Sequence, residues 1–239
     1  MQRIETLEIE FEHNGVQDRI YPVVLSDEDE MILIDCGYPN FFPLIKEAFK
    51  RKELDINKLT KVIITHHDFD HMGSLAQLKR ELPHIKILAS IYDEKYINGE
   101  EKSLRLQQAE RLYDQLPEKE KEGAKAFHNL LESVENVHVD MVLRDKDVFS
   151  WCGGIEVIET PGHMPGHLSI YVKEFKTLVS GDALVVEGEA LTIANPQYTL
   201  NMDQAKQSIK KLLDYPIDTI ICYHGGIYTK DIKKSLECI

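Results

Sequence analysis

The chain of 239 residues has no apolar run approaching the roughly 18 residues that a membrane span needs. Its opening, M-Q-R-I-E-T-L-E-I-E-F-E, lacks the apolar block of an export signal and alternates apolar with charged residues, which reads as a strand. The expected compartment is therefore the cytoplasm. Cysteine is scarce as well. Cys36, Cys152, Cys222 and Cys238 lie far apart without a C-x-x-C pair, so separate reduced thiols are expected and a disulfide framework is not. Basic residues are outnumbered, 28 Lys and Arg against 41 Asp and Glu, for a formal charge of −13. That sign opposes binding to phosphate backbones and acidic membranes, and there is no basic stripe to offset it. Linkers and low-complexity tracts are missing too. A hydrophobic content of 43% can supply a sizeable core, and the length admits one large domain or two small ones.

The stretch from Lys61 to Ser74, K-V-I-I-T-H-H-D-F-D-H-M-G-S, organises the rest. Val62 to Thr65 are β-branched and in a run, as in a buried strand. From Met72 the spacing turns helical, with Met72, Leu75, Leu78 and Leu82 on one face. Between strand and helix stand three histidines and two aspartates. Carboxylates and imidazoles desolvated together need a compensating partner, and a metal ion supplies it. Residues two apart on an extended backbone point the same way, so His66, Asp68 and Asp70 project from one side while His67 and Phe69 face the other. His71 rejoins the cluster through the bend into the helix.

Along the chain, residues 3–12, 19–26 and 30–35 read as strands, the first two joined through His13-Asn14-Gly15. A helix over Phe42 to Lys52 precedes the organising strand, and Ile85 to Ala89 is a further strand. From about residue 90 to 135 the character becomes charged and helical. Leu104, Gln108, Leu112 and Tyr113 fall at helical spacing, Pro117 starts a new helix, and Ala124, Phe127, Leu130 and Leu131 form its expected buried stripe. This block reads as an insertion between two strand-rich halves. Strands return at 137–143, 147–151, 155–160, 168–173, 176–180 and 217–222. Helices are expected over Asp203 to Leu213, with Asp203 as N-cap, and over Thr229 to Leu236.

Three later glycine-bounded loops, each following a strand, carry further donors: T-P-G-H-M-P-G-H-L-S (160–169) with His163, V-S-G-D-A (179–183) with Asp182, and I-I-C-Y-H-G-G (220–226) with His224. Strand ends are where layered sheets bind ligands. Six of the ten histidines fall in these segments and the organising stretch, too many for scatter.

Taken in order, T-H-x-x-x-D-H-M-G, T-P-G-H-x-P-G-H, S-G-D and a late H-G-G resemble the metallo-β-lactamase-fold hydrolase superfamily. Asp35-Cys36-Gly37 looks like that family's early aspartate–glycine turn, which supports the metal loop. The resemblance implies an α/β (α+β) fold, a four-layer αββα sandwich of two mixed sheets flanked by helices. It would be a single domain over 1–239, with the helical insertion at about 90–135. Carried over by position, one metal site would comprise His66, Asp68 and His163, and the other Asp70, His71 and His224. Asp182 would bridge two divalent ions about 3.5–4 Å apart, with a hydroxide on the open side. The family's usual residue at position 68 is histidine; here Asp68 adds charge and oxygen character. Zinc remains the expected metal, and Asp68 admits manganese or iron. The alternative for Asp68 is that it only caps the following helix.

The implied activity is a metal-dependent hydrolase whose bridging hydroxide cleaves a small ester, lactone or thioester, with Asp70 orienting the nucleophile. A phosphodiesterase is disfavoured by the −13 charge. Against an acyl-homoserine-type lactonase, Ala183-Leu184-Val185 follows Asp182 without a close tyrosine, although Tyr198 could supply a phenol. T-H-H resembles glyoxalase II, yet the chain ends soon after His224 without room for a thiol-recognition domain. A di-iron redox protein related to the flavodiiron branch is the other alternative, favoured by Asp68. A non-catalytic binding module would show eroded ligands, and six of the seven positions hold the usual residue. His67 is expected behind the ligands or on the surface, and His167 either supports its loop or contacts substrate. His13, His84, His128 and His138 are assigned to surface or core. The partner expected is a small-molecule substrate, with no nucleic acid and no membrane; a homodimer is allowed.

Overall fold

Period-two alternation in short, all-apolar strands dictates a layered arrangement, because each strand then has two faces to bury. The computed structural model describes residues 2–13 and 15–239. Its strands are β1 (Arg3–Thr6), β2 (Ile9–His13), β3 (Val16–Ile20), β4 (Val23–Ser26), β5 (Met31–Ile34), β6 (Lys61–Ile64), β7 (Lys86–Ser90), β8 (Met141–Leu143), β9 (Val148–Phe149), β10 (Ile155–Glu159), β11 (Leu168–Val172), β12 (Thr177–Gly181), β13 (Val185–Glu187), β14 (Ala190–Thr192), β15 (Thr219–Cys222) and β16 (Gly226–Tyr228). The helices are α1 (Phe42–Arg51), α2 (Phe69–Met72), α3 (Leu75–Glu81), α4 (Glu94–Ile97), α5 (Leu104–Tyr113), α6 (Glu118–Glu132), α7 (Met202–Leu212) and α8 (Ile232–Glu237).

Two six-stranded mixed sheets form, in the orders β1-β4-β5-β6-β7-β8 and β16-β15-β12-β11-β10-β9. In the first sheet Val23, Leu25, Ile32, Ile34, Ile63 and Leu88 face the second, meeting Ile155, Val157, Leu168, Ile170, Val179 and Ile221. The alternate residues Val24, Leu33, Val62, Ile64 and Ile87 face outward against Ile45 and Phe49 of α1 and Leu75 and Leu78 of α3. On the far side Tyr171, Leu178, Ile220 and Cys222 pack against Ala205, Ile209 and Leu212 of α7 and Ile232 and Leu236 of α8. The layers are thus αββα, as the resemblance implied. Side chains of this size, wholly withdrawn from water, each contribute about 1.5–3 kcal/mol of transfer free energy.

The N-terminal strands differ from the expectation. Residues 3–12 and 19–26 each divide in two, and Pro22, which has no N–H to give a ladder, marks the break between β3 and β4. Pro22 instead accepts Leu7 N–H at 2.8 Å. Asn14 of the expected turn, and the side chain of His13, lie outside the described residues. The hairpin β13–β14 has no counterpart among the strands expected from the sequence. Asn201, not Asp203, caps α7, accepting Gln204 N–H at 3.0 Å. Between β7 and β8 stand α4, α5 and α6; α5 buries Arg105 and Leu106, whereas Leu112 is exposed. The carboxyl ends of β5 and β6, which pair in parallel, and of β12 and β15, which do likewise, deliver loops to one edge of the sandwich.

Candidate metal centre

The first of these loops starts with a strained residue. Asp35, just after β5, holds φ at 61°, a left-handed conformation that non-glycine residues adopt at a cost. The turn brings its carboxylate back across the sheet. Oδ1 accepts Thr65 N–H at 2.8 Å, and Oδ2 accepts Thr65 Oγ1–H at 2.8 Å and faces His71 Nδ1 at 2.9 Å. A carboxylate only accepts, so Nδ1 of His71 carries a proton, and Nε2 is the nitrogen that faces the cluster. Cys36 N–H reaches the His71 carbonyl at 2.7 Å, and Tyr223 donates its hydroxyl to the Asp70 carbonyl at 2.6 Å. The loop after β6 is therefore fixed from both sheets.

The second half contributes three donors. Gly162 holds φ at +143°, and a Cβ there would lie 2.3 Å from the amide nitrogen of Ala205 on α7, so only glycine lets the 160–167 loop sit this close. His163 Nε2 comes within 3.1 Å of Asp68 Oδ2, and His66 Nε2 within 3.5 Å of the same oxygen. Asp182 presents Oδ1 to His71 Nε2 at 3.4 Å and to His224 Nε2 at 3.8 Å, and Oδ2 to His163 Nε2 at 3.6 Å. Asp70 Oδ2 lies 3.2 Å from His224 Nε2 and 3.7 Å from His71 Nε2. Donor atoms of His66, Asp68 and His163, of His66, His71 and Asp182, and of Asp70, His71 and His224 each gather within 4.8 Å. All seven predicted ligand positions thus converge.

The electrostatics of the cluster call for a cation. Nε2 of His66, Nε2 of His71 and Oδ1 of Asp182 are buried without a hydrogen-bond partner. Orphaned polar atoms at this density are costly in a folded protein, so the donor set fits divalent ions of the kind held by nitrogen and carboxylate oxygen. Burial, with His71 and His163 nearby, drives the His66 pKa well down. Burial opposes charging of His71 too, but Asp182, Asp35 and Asp70 carry its pKa well above the usual imidazole value. Asp182 stays well below the carboxylate range despite its burial, held there by His71 and His224.

Asp68 occupies the N-cap position of α2 but makes no capping bond. Its carboxylate meets Arg105 of α5 side-on, Nε to Oδ1 at 3.1 Å and Nη2 to Oδ2 at 2.6 Å. Arg105 was missed in the sequence, where a lone arginine on a charged helix gives no signal. His67 is buried, its ring stacked on Tyr96 at 4.3 Å, with Nδ1 3.0 Å from Asp93 Oδ2 and Nε2 accepting Leu104 N–H at 3.3 Å. It joins the metal loop to the helical segment. His167 is not a substrate contact. Its Nε2 accepts Asp182 N–H at 2.9 Å, Nδ1 meets Thr160 Oγ1 at 2.8 Å, and burial beside His163 pushes its pKa down to about 3. It positions the Asp182 loop from beneath.

A cavity of about 460 Å³ opens above the cluster. Its floor is Asp68, Asp70, His163, Asp182 and His224; Tyr38, Phe69, Phe127, Leu130, Val185 and Val186 supply the walls, and Tyr198 the rim. Phe69 and Phe127 meet edge to face at 5.6 Å, which brings α6 to the site. Of the four other histidines, His84 Nε2 reaches the Leu59 carbonyl at 2.9 Å and the ring of His128 packs on Tyr113 at 5.3 Å; His138 is exposed.

The sequence profile of the Metallo-beta-lactamase superfamily matches residues 17–224. The chain belongs to that superfamily. Among superfamily members, a solved metallo-beta-lactamase family protein, TTHA1429 from Thermus thermophilus, superposes with a TM-score of 0.74 at 21% identity, over 98% of this chain and 77% of its own. The probable metallo-hydrolase YflN of Bacillus subtilis is 26% identical over 222 residues, 84% of this chain and 77% of its own. A hydroxyacylglutathione hydrolase of Bartonella quintana is 30% identical over 188 residues, 78% of this chain and 54% of its own. The chain is thus a hydrolase of the metallo-beta-lactamase superfamily, with a His/Asp cluster that could hold metal ions. No described helix is long and apolar enough to cross a membrane.

Proposed function

We propose that the chain hydrolyses a small ester, lactone or thioester with two divalent ions, zinc foremost, held at the floor of the cavity. One observation carries the reading: orphaned imidazole nitrogens and an orphaned carboxylate oxygen converge beneath a cavity whose walls are mostly apolar. Asp70, His71 and His224 would hold one ion, His66, Asp68 and His163 the other, with Asp182 offering one oxygen to each side. Bound there, the ions would acidify a water and stabilise charge developing on a substrate oxygen. Asp70, at the cavity floor, would orient that water while serving as a ligand. The walls exclude bulk solvent from the acyl portion, and His167 holds the Asp182 backbone in register.

The cavity supports a neutral acyl substrate over a polyanion. Asp18 and Glu187 line its mouth, and among the described lining residues the one arginine or lysine, Arg105, is committed to Asp68. The Bartonella relative acts on a thioester by its name, which keeps thioesters in the set. Asp68 paired to arginine no longer argues for the oxygen-rich iron site of a redox protein. The buried free thiols Cys36, Cys152 and Cys222 suit a reducing compartment, so cytoplasmic action without nucleic acid, membrane or obligatory partner completes the proposal.

The test is a panel of esters, lactones, thioesters and phosphodiesters, assayed with zinc-, manganese- and iron-loaded protein. Turnover of carbonyl substrates is expected; turnover of phosphodiesters alone would overturn the reading. Phe127→Ala removes a wall without touching the floor. It should raise KM for a substrate with an apolar acyl chain about tenfold, roughly 1.4 kcal/mol, with kcat little changed. A loss confined to kcat would remove Phe127 from the substrate wall.

A further inference from the structure

The helical segment sends one buried charge into the centre. Arg105, on the first turn of α5, is 3% exposed. Its guanidinium is held at every edge: Nη1 donates to Gln108 Oε1 at 2.8 Å, Nη2 to the Tyr198 carbonyl at 2.9 Å, and Nε and Nη2 to the two oxygens of Asp68. Nη2 also comes within 3.4 Å of His163 Nε2. Two of the three donor atoms at the His66, Asp68, His163 set therefore already face a fixed cation. At the Asp70, His71, His224 set, no arginine or lysine forms an ion pair or hydrogen bond among the described residues, and Arg105 acts on Asp70 and Asp182 only through space.

We propose that Arg105 makes the two metal sites unequal. The Asp70, His71, Asp182, His224 side takes the first ion, and an ion at His66, Asp68 and His163 must compete with the guanidinium for its donors. The physical basis is threefold. A side-on arginine–carboxylate pair engages both oxygens in charge-assisted bonds. Like charges repel strongly where water is excluded. Arginine does not deprotonate, so the competitor stays charged at every working pH. Docking of α5 and metal loading at this site are then one linked equilibrium. The inference rests on the metal centre proposed above and not on the choice of substrate.

The experiment counts ions in the full chain without any activity readout. Metal-stripped protein is titrated with zinc, and separately with manganese, by calorimetry, and the bound ions are counted by native mass spectrometry. The expected wild-type result is one tight ion and a second at least about tenfold weaker. Arg105→Gln should tighten the second step about tenfold and leave the first unchanged. Gln108→Ala, which only loosens the guanidinium's seat, should move the second step in the same direction by less, and it serves where Arg105→Gln fails to fold. Two equal steps in the wild type would overturn the proposal. So would unchanged second steps in natively folded Gln108→Ala and Arg105→Gln proteins. No binding of either metal would instead overturn the metal centre itself.

Discussion

Asp182→Ala is expected to lower turnover of every hydrolysed substrate by on the order of a thousand-fold or more, because it removes the one carboxylate that faces both donor sets. Oδ1 of Asp182 looks toward His71 and His224, and Oδ2 toward His163. Alanine leaves three imidazoles facing one another with less negative charge between them. Metal affinity should therefore fall together with turnover, and chelator-competition titration of the purified variant checks the two together. The fold should persist, because Asp182 lies in the loop after β12, and the Thr160 bond to Nδ1 still holds His167. Full metal binding with full turnover would show that Asp182 faces the cluster without serving it.

The second large effect is expected from a residue that touches no ion. Asp35→Asn keeps the shape of the side chain, and asparagine tolerates the left-handed backbone at this position. Thr65 N–H obliges the amide oxygen to take the place of Oδ1, so the NH₂ group falls where Oδ2 faced His71. Two donors cannot share that contact. His71 must then move its proton from Nδ1 to Nε2, which removes the lone pair pointing into the cluster. The expected result is a 10–100-fold loss of zinc affinity with native circular dichroism. A variant with wild-type affinity would show that the Asp35–His71 contact does not set the tautomer.

The layers and the donor set could be read from the chain because both are written in local patterns. Strands β5, β6 and β15 are short apolar runs, and each ends at a donor or a sharp turn, so strand and site are announced together. His66, Asp68 and Asp70 do reach one cluster, but not all from an extended backbone: α2 already starts at Phe69, so Asp70 is helical, and Phe69, expected on the opposite side, lines the cavity with them. What lay out of reach depends on contacts between distant segments. Arg105 and Asp68 are far apart in sequence, and the helical spacing of Leu104, Gln108, Leu112 and Tyr113 did not single out Arg105 and Leu106, the residues that α5 buries. His167 was open to two readings, loop support or substrate contact, and the Asp182 amide bonded to its Nε2 favours the first. The cavity walls Phe127 and Leu130 were legible as an apolar stripe, but not as the lining of a site.

Asp68 shows why residue type alone misleads. Read by itself it adds oxygen character to one site; read with Arg105 its charge is largely neutralised. Burial alone would raise its pKa, yet the guanidinium foremost, with His163 and His66, holds it well below the carboxylate range. Substituting the family's usual histidine at this position would strand a buried arginine without its partner, a loss of about 3–5 kcal/mol.

The most direct measurement is anomalous diffraction from crystals grown with zinc or manganese, recorded on both sides of the metal absorption edge. The account predicts an anomalous peak within coordinating distance of His71 Nε2, His224 Nε2, Asp70 and Asp182. At saturating metal, no peak between these four side chains would contradict it.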